Sequence, residues 1–316
     1  GGWVPAGWRL GGRAAATVQL AGRLGAPSLN GRAEGENLAL RHLLYGVDVT
    51  NGRFVLDLQG QHAELSKLEA RGGDGWLRAS GRADLGAEPN AHITLTADKL
   101  RVLSRVDRRV VASGEARLDL DAKGLRLDGK LRADEGLFDF SRGDAPALAD
   151  DVTVLRGTRD AAPTAPPAPK AARSSVVNLA LDFGRDFKVR GRGLTTTLRG
   201  QLQVSQNNGP LRVTGKLGVD GGQYAAYGQK LDIERGDISF TGAYDNPSLD
   251  LLAVRPNLDI RVGVRVGGTA LAPRVALYSE PEMADTDKLS WLLLGRGPDG
   301  LGRTDTALLQ RAALAL

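Results

Sequence analysis

The sequence predicts an all-β protein built mainly from one long antiparallel sheet, with short helices at its C-terminal end. Two observations predict the sheet. Apolar and polar residues alternate with a period of two along most of the chain, the pattern of strands with one apolar face. Turn-forming residues interrupt this alternation about every 8–12 residues, which favours an antiparallel meander. Helical spacing replaces the alternation only after residue 284.

The alternation is clearest in four stretches, 125–134, 194–204, 211–220 and 258–266. Aliphatic residues or glycines take most of every second position, and charged or polar residues lie between them. Weaker copies recur throughout the N-terminal half. We expect the aliphatic residues of the four stretches to line one face of the sheet. They are Leu125, Leu127, Leu131, Leu198, Leu202, Val204, Leu211, Val213, Leu217, Val219, Leu258, Ile260, Val262, Val264 and Val266.

Gly, Asn and Pro residues mark the predicted turns. Asn51-Gly52 is a strong hairpin signal, because both residues accept the positive φ angles that a tight hairpin turn requires. Gly221-Gly222 and the Asp-Asn-Pro sequence at 245–247 indicate further turns.

Residues 160–173, DAAPTAPPAPKAAR, break the pattern. Proline cannot donate a hydrogen bond to a strand ladder, so this stretch is predicted to be an exposed loop or linker. It divides the chain into a repetitive β region over 1–159 and a second β domain over 174–280. A helical end segment follows over 281–316.

Two helices are predicted in this end segment. The first runs over 285–294, with Asp285 as its N-cap and Gly295 as its stop. The second runs over 304–316, where Leu and Ala residues recur on one helical face. That pattern still continues at the last residue, which leads us to expect a fragment of a longer protein.

The composition excludes several kinds of site. The chain of 316 residues contains no Cys, so it has no disulfide framework, no thiolate metal site and no Cys nucleophile. Its net charge is +5, but the basic residues are spread singly among Asp residues. Nucleic acid is therefore not an expected partner. No apolar run approaches the ~20 residues of a membrane-spanning helix.

No catalytic motif is found. His42, His62 and His92 occur singly, and Asp119 with Asp121 fits the polar face of a strand. The sequence has no phosphate-binding loop, dinucleotide fingerprint, zinc-protease helix or nucleophile elbow. We therefore expect a protein that is not an enzyme and that uses no metal and no cofactor.

The predicted apolar face has to be covered. If a second sheet covers it, the protein is a closed β-sandwich, such as an adhesin. If membrane lipid covers it, the protein is a membrane barrel. If an apolar ligand covers it, the sheet forms a groove. Aromatic residues make up only 5% of the chain and form no belts at strand ends, which disfavours the barrel. Alternation alone does not choose between the sandwich and the groove.

The second half carries an ordered series of short motifs. Residues 184–193 read GRDFKVRGRG and residues 222–242 read GQYAAYGQKLDIERGDISFTG. They are followed by DNP at 245–247, YSEP at 278–281 and KLSWLLLGR at 288–296. The series resembles the C-terminal domain of the TamB family. The first half is similar to the repetitive β region that precedes that domain, but in pattern only.

The resemblance implies a periplasmic scaffold that an N-terminal helix, not found in this sequence, would anchor to the inner membrane. Its sheet would curl like a taco around a hydrophobic groove, with phospholipid or acyl chains as the bound ligand. The implied function is phospholipid transport to the outer membrane and assembly of outer-membrane proteins with the barrel protein TamA. The alternative is a chaperone-like module that offers its groove or edge strands to unfolded outer-membrane proteins by β-augmentation.

The resemblance also draws attention to Ser290, Trp291 and Leu292 on the first predicted helix. These residues would either pack over the end of the sheet or dock to a partner protein.

Overall fold

In the computed structural model, residues 7–23, 26–141, 174–226 and 228–297 are described, and they form sixteen strands and one helix. The strands are β1 (Trp8–Arg23), β2 (Ala26–His42), β3 (Val47–Gly60), β4 (His62–Gly72), β5 (Gly75–Asp84), β6 (Asn90–Ser104), β7 (Arg108–Leu120), β8 (Gly124–Asp139), β9 (Ser174–Asp182), β10 (Phe187–Gly191), β11 (Leu194–Asn207), β12 (Arg212–Ala226), β13 (Gln229–Gly242), β14 (Ser248–Val254), β15 (Arg261–Thr269) and β16 (Ala272–Glu280). The helix is α1 (Asp285–Leu294).

All sixteen strands belong to one sheet, which confirms the predicted all-β class and the long meander. Neighbouring strands are antiparallel with one exception. β9 and β10 together take one position between β8 and β11, and both run parallel to β8. The alternation does not reveal this exception, because parallel and antiparallel strands both place every second side chain on the same face. With a single sheet in the described residues, the closed two-sheet sandwich is not the architecture found.

Two predicted turns lie inside strands. Asn51 has a φ of 52° within β3, where the register with β2 is irregular. The hairpin turn before β3 is formed by residues 43–46 instead. Gly221 and Gly222 likewise lie within β12. At both places the residues with positive φ form a β-bulge within a strand instead of a turn. A bulge bends the strand and increases its twist.

The sheet curls strongly near the start of β3. Register irregularities occur in β2, β3, β4, β6 and β8. At this end the backbone N–H of Ser104, at the end of β6, donates to the carbonyl of Gly46, just before β3, at 2.7 Å. β4 and β5 separate these two strands in the sheet, so the contact requires the sheet to bend back on itself.

The register places aliphatic residues, glycines and Phe54 in one row across twelve strands, β1 to β9 and β11 to β13. Residues opposite each other in paired strands lie on the same face of the sheet. The row consists of Ala14, Gly35, Phe54, Leu68, Ala79, Leu95, Ala116, Gly129, Leu179, Val204, Val213 and Gly242. We call the surface around this row the apolar face, and the opposite surface the polar face.

Helix α1 confirms the first predicted helix. It ends at Gly295, whose φ of 72° is the left-handed conformation of a helix stop. The N-cap is Ala284 and not Asp285, which is the first residue of the helix and makes no side-chain capping bond. The predicted linker over 160–173 and the second helix over 304–316 lie outside the described residues.

Replacing Gly236 by Ala is expected to destabilise the protein by roughly 1–3 kcal/mol, because a Cβ atom there would clash with the side chain of Val219 on β12. Gly218→Ala is the matched control, since a Cβ at Gly218 has its nearest neighbour, the carbonyl of Arg199, at 3.9 Å. Thermal unfolding followed by circular dichroism compares the two variants. Equal unfolding temperatures would contradict the packing described for β12 and β13.

The parallel junction of β8 and β10 is expected to weaken in acid. The Asp139 carboxylate accepts hydrogen bonds from Ser141 and from the guanidinium of Arg190, and these lower the pKa of Asp139 to about 2. A lowered pKa contributes stability that is complete above the ordinary Asp value of ~3.9 and is lost as the pH falls towards the folded value.

The measurement is the difference in unfolding temperature between the wild type and Asp139→Asn. We expect this difference to shrink between pH 5 and pH 2.5. Asp74→Asn, in the exposed turn between β4 and β5, is the control that should show no such trend. A constant difference for Asp139→Asn would be inconsistent with an ionised Asp139 stabilising the junction.

Candidate functional site

The apolar face of β1 to β8 is open. Sixteen hydrophobic side chains are buried among the described residues, and only four of them, Ala63, Ala70, Ala79 and Leu100, belong to these eight strands. Leu20 on β1 is 73% exposed and Leu120 on β7 is 41% exposed, although both lie on the apolar face. The face extends for about 34 Å across the eight strands. No other described part of the chain covers it.

The apolar face becomes concave in the second half. Six strands, β10 to β15, enclose a cavity of about 350 Å³ on this face. Most of the side chains that line it are aliphatic or aromatic. Among them are Leu198, Val219, Tyr224, Ile233, Ile238, Leu251, Val264 and Val266. A cavity bounded by six successive strands requires the sheet to curl towards its apolar face.

Helix α1 covers the apolar face beside this cavity. Leu292 of the helix packs against Leu231 and Val262, which are 1% and 0% exposed. The guanidinium of Arg255 donates to the carbonyls of Leu292 at 2.8 Å and Trp291 at 3.1 Å. The Trp291 carbonyl also accepts the backbone N–H of Gly295 at 3.0 Å. Both carbonyls lie in the last turn of the helix, so a cation there also compensates the negative end of the helix dipole.

Two more side chains hold α1 in place. The amide of Gln229 donates to the carbonyl of Leu293 at 3.0 Å. At the other end of the helix, the buried ammonium of Lys288 pairs with Glu282 and, at 3.2 Å, with Asp285. The hydrogen bond to Glu282 is the main cause that raises the pKa of Lys288. Sequence reasoning missed the contacts of Gln229 and Arg255 with the helix, because only the fold brings these distant residues together.

Twelve of the fifteen predicted groove residues lie on the apolar face within strands. They are Leu125, Leu127, Leu131, Leu198, Leu202, Val204, Val213, Leu217, Val219, Val262, Val264 and Val266. Among these, Leu202, Val213 and Leu217 form a buried cluster, and Val262 lies beneath α1. Contact of the others with lipid stays a prediction.

The remaining three groove residues are not in strands. Leu211 precedes β12 and is 39% exposed. Leu258 and Ile260 precede β15, and Leu258 packs at the edge of the cluster under α1. Their alternation with polar residues continues that of the adjacent strand, but strand pairing begins only at Arg212 and Arg261.

The three predicted docking residues face the protein to different degrees. Ser290 is fully buried, and its hydroxyl donates to the carbonyl of Arg296 at 2.9 Å. Leu292 is buried in the cluster under α1, and Trp291 is half-buried beside that cluster. This packing supports the alternative in which the helix covers the end of the sheet. Docking to a partner stays a prediction for Trp291.

The polar face carries charge pairs and no metal site in the described ranges. Cross-strand pairs such as Arg78 with Glu69, at 3.0 Å, are exposed. His92 lies 2.6 Å from Asp119, and His62 lies 3.3 Å from Asp84. No group of three metal-binding side chains is found among the residues that the structure describes. Exposed pairs of this kind contribute little stability, but they keep this face hydrated.

Together these features define a class of protein: an all-β scaffold with one curled sheet, an open apolar face and a helix over its last strands. The TamB C-terminal domain family matches residues 66–316, and the chain belongs to this family.

The chain is also similar to a curated TamB protein. The translocation and assembly module subunit TamB of Haemophilus influenzae is 26% identical over 326 residues, which cover 98% of this chain and 25% of the relative. The chain therefore spans about a quarter of the length of the curated relative that it matches. Within the described ranges, no helix has the length and apolar character needed to cross a membrane.

Arg255→Met is expected to loosen α1, because it removes the donor to two helix carbonyls while keeping most of the side-chain volume. We expect hydrogen exchange of residues 285–297 to accelerate by about tenfold, as for the loss of ~1.4 kcal/mol of local stability. Arg265→Met is the control, since its 3.8 Å pair with Asp250 is exposed. Equal exchange in both variants would show that Arg255 does not hold the helix.

Proposed function

We propose that the chain is part of a non-enzymatic periplasmic scaffold whose apolar groove supports phospholipid transport to the outer membrane. One observation carries this proposal: the apolar face is continuous from β1 to β13, and over the first eight strands it leaves large side chains such as Leu20 and Leu120 exposed. Membership of the TamB C-terminal domain family supports a role in the translocation and assembly module. Assembly and secretion of outer-membrane proteins belong to the same proposal.

The physical basis is the transfer of acyl chains from water to an apolar surface. Each buried methylene group contributes about 0.8 kcal/mol, and the interaction has no preferred direction. An acyl chain on a continuous aliphatic surface therefore exchanges similar contacts as it moves from strand to strand. The charged polar face keeps the rest of the sheet in water. Such a groove conducts lipid without a catalytic residue.

We place this scaffold in the periplasm, anchored to the inner membrane and in contact with a TamA-like barrel protein of the outer membrane. In this arrangement strands β1 to β8 carry the open groove. Strands β10 to β15 and helix α1 form its covered end. Of the three predicted docking residues Ser290, Trp291 and Leu292, Trp291 is the one that a partner could reach, because it is only half-buried.

A second candidate function rests on the free edge of the sheet. Among the described strands β16 pairs only with β15, so its outer backbone groups are available to another strand. Val275 on β16 is 46% exposed. A strand of an unfolded outer-membrane protein could pair there by β-augmentation. Pro273 and Arg274 at the start of β16 limit such pairing to its second half.

Photo-crosslinking distinguishes the two candidates. A photoreactive residue replacing Leu95 on the apolar face of β6 is expected to capture phospholipid in cells. The matched control replaces Thr94, the preceding residue, which faces the polar side. We expect at least tenfold less lipid adduct at Thr94, because that face is hydrated.

The same probe at Val275 tests the second candidate. Polypeptide adducts at Val275 without lipid adducts at Leu95 would favour β-augmentation and contradict the lipid groove. Equal lipid yields at Leu95 and Thr94 would also contradict it, because they would show that capture does not depend on the apolar face.

A further inference from the structure

One cation lies at the apolar cavity of the second half. Among the residues that the structure describes, sixteen line the cavity enclosed by β10 to β15, and Arg192 is the only charged one of these sixteen. Of its polar lining groups, the hydroxyl of Thr196 is already bonded to the carbonyl of Gly221. Arg192 lies in the turn between β10 and β11, and it both lines the cavity and is exposed to water.

Arg192 differs from Lys188 and Arg190, the two cations of β10. Arg190 pairs with Asp139 at 2.7 Å, and Lys188 pairs with Asp186 at 2.8 Å. Arg192 has no carboxylate partner and no hydrogen-bond partner among the described residues. Its φ of 48° is an uncommon left-handed conformation for a residue other than glycine. The turn thus presents an unpaired cation beside an aliphatic cavity.

We infer that this cavity binds one acyl chain of an amphiphile whose anionic head group, phosphate or carboxylate, pairs with Arg192. The inference rests on the proposed lipid function and assigns a head-group class to one place in the groove. The volume of about 350 Å³ is near the lower end of the ~300–1,000 Å³ found for ligand pockets, which fits a single chain. A guanidinium binds a phosphate or carboxylate through two parallel hydrogen bonds.

The absence of acidic lining residues gives the site its selectivity. A neutral head group gains only a hydrogen bond from Arg192, whereas an anionic one gains a charge-assisted pair. Within the described ranges, no acidic side chain lines the cavity to repel an anion. Because Arg192 is exposed, the preference for an anion should weaken as the salt concentration rises.

The test uses the 316-residue chain with a photoreactive phenylalanine analogue in place of Phe140, an exposed aromatic residue that lines the cavity. The probes are lysophosphatidylglycerol, palmitate and monopalmitoylglycerol, each below its micelle concentration. We expect about tenfold greater adduct formation with an anionic probe than with the neutral one. The anionic probe that shows the larger yield identifies phosphate or carboxylate as the preferred head group.

Three variants test the role of Arg192. Arg192→Asn keeps a residue that accepts positive φ and should abolish the preference while leaving the yield of the neutral probe unchanged. Arg192→Lys should restore most of the preference. Arg185→Asn, which removes an exposed charge that does not line the cavity, should leave it unchanged. The inference would be overturned if Arg192→Asn still formed more adduct with the anionic probes than with the neutral one. It would also be overturned if Arg185→Asn lowered this preference as much as Arg192→Asn does.

Comparing lipid adducts at Leu95 and at Phe140 distinguishes failure of this inference from failure of the proposed function. Lipid adducts at Leu95 without a preference at Phe140 would leave the open groove intact and remove only the Arg192 site. Absence of lipid adducts at both positions would contradict the lipid function itself and this inference with it.

Discussion

The structure depends on the register that keeps one apolar face continuous from strand to strand. In a sheet with alternating residues, a shift of one residue would turn every aliphatic side chain of a strand to the opposite face. Ala14 on β1 and Gly242 on β13 belong to the same row only because each intermediate pairing keeps its parity. Bulges within strands change the register locally, and the apolar face continues on both sides of them.

The apolar face is well covered in the second half of the sheet and much less covered in the first half. In the second half, curvature and helix α1 give clusters such as Leu231, Val262 and Leu292. In the first half, small residues such as Ala63 and Ala79 reach full burial, while Leu20 and Leu120 do not. A hydrophobic surface that the described chain leaves open costs free energy in water. An occupant of that surface removes this cost, and acyl chains have the required apolar character.

The alternation predicted the sheet and the face of most groove residues, because periodicity reports side-chain direction. It could not predict pairing. Asn51 signals positive φ equally well for a turn and for a bulge, and the structure uses it as a bulge. Leu258 continues the alternation beyond the first paired residue of β15. The contact of Arg255 with α1 and the isolation of Arg192 both depend on distant parts of the fold.

The central claim is that lipid, and not protein, covers the apolar face of the first eight strands. Native mass spectrometry of the chain purified without detergent measures this coverage directly. We predict at least one phospholipid bound per chain, since the open face is about 34 Å long. A folded, lipid-free monomer would contradict the account, and so would a lipid-free dimer that buries this face between two copies.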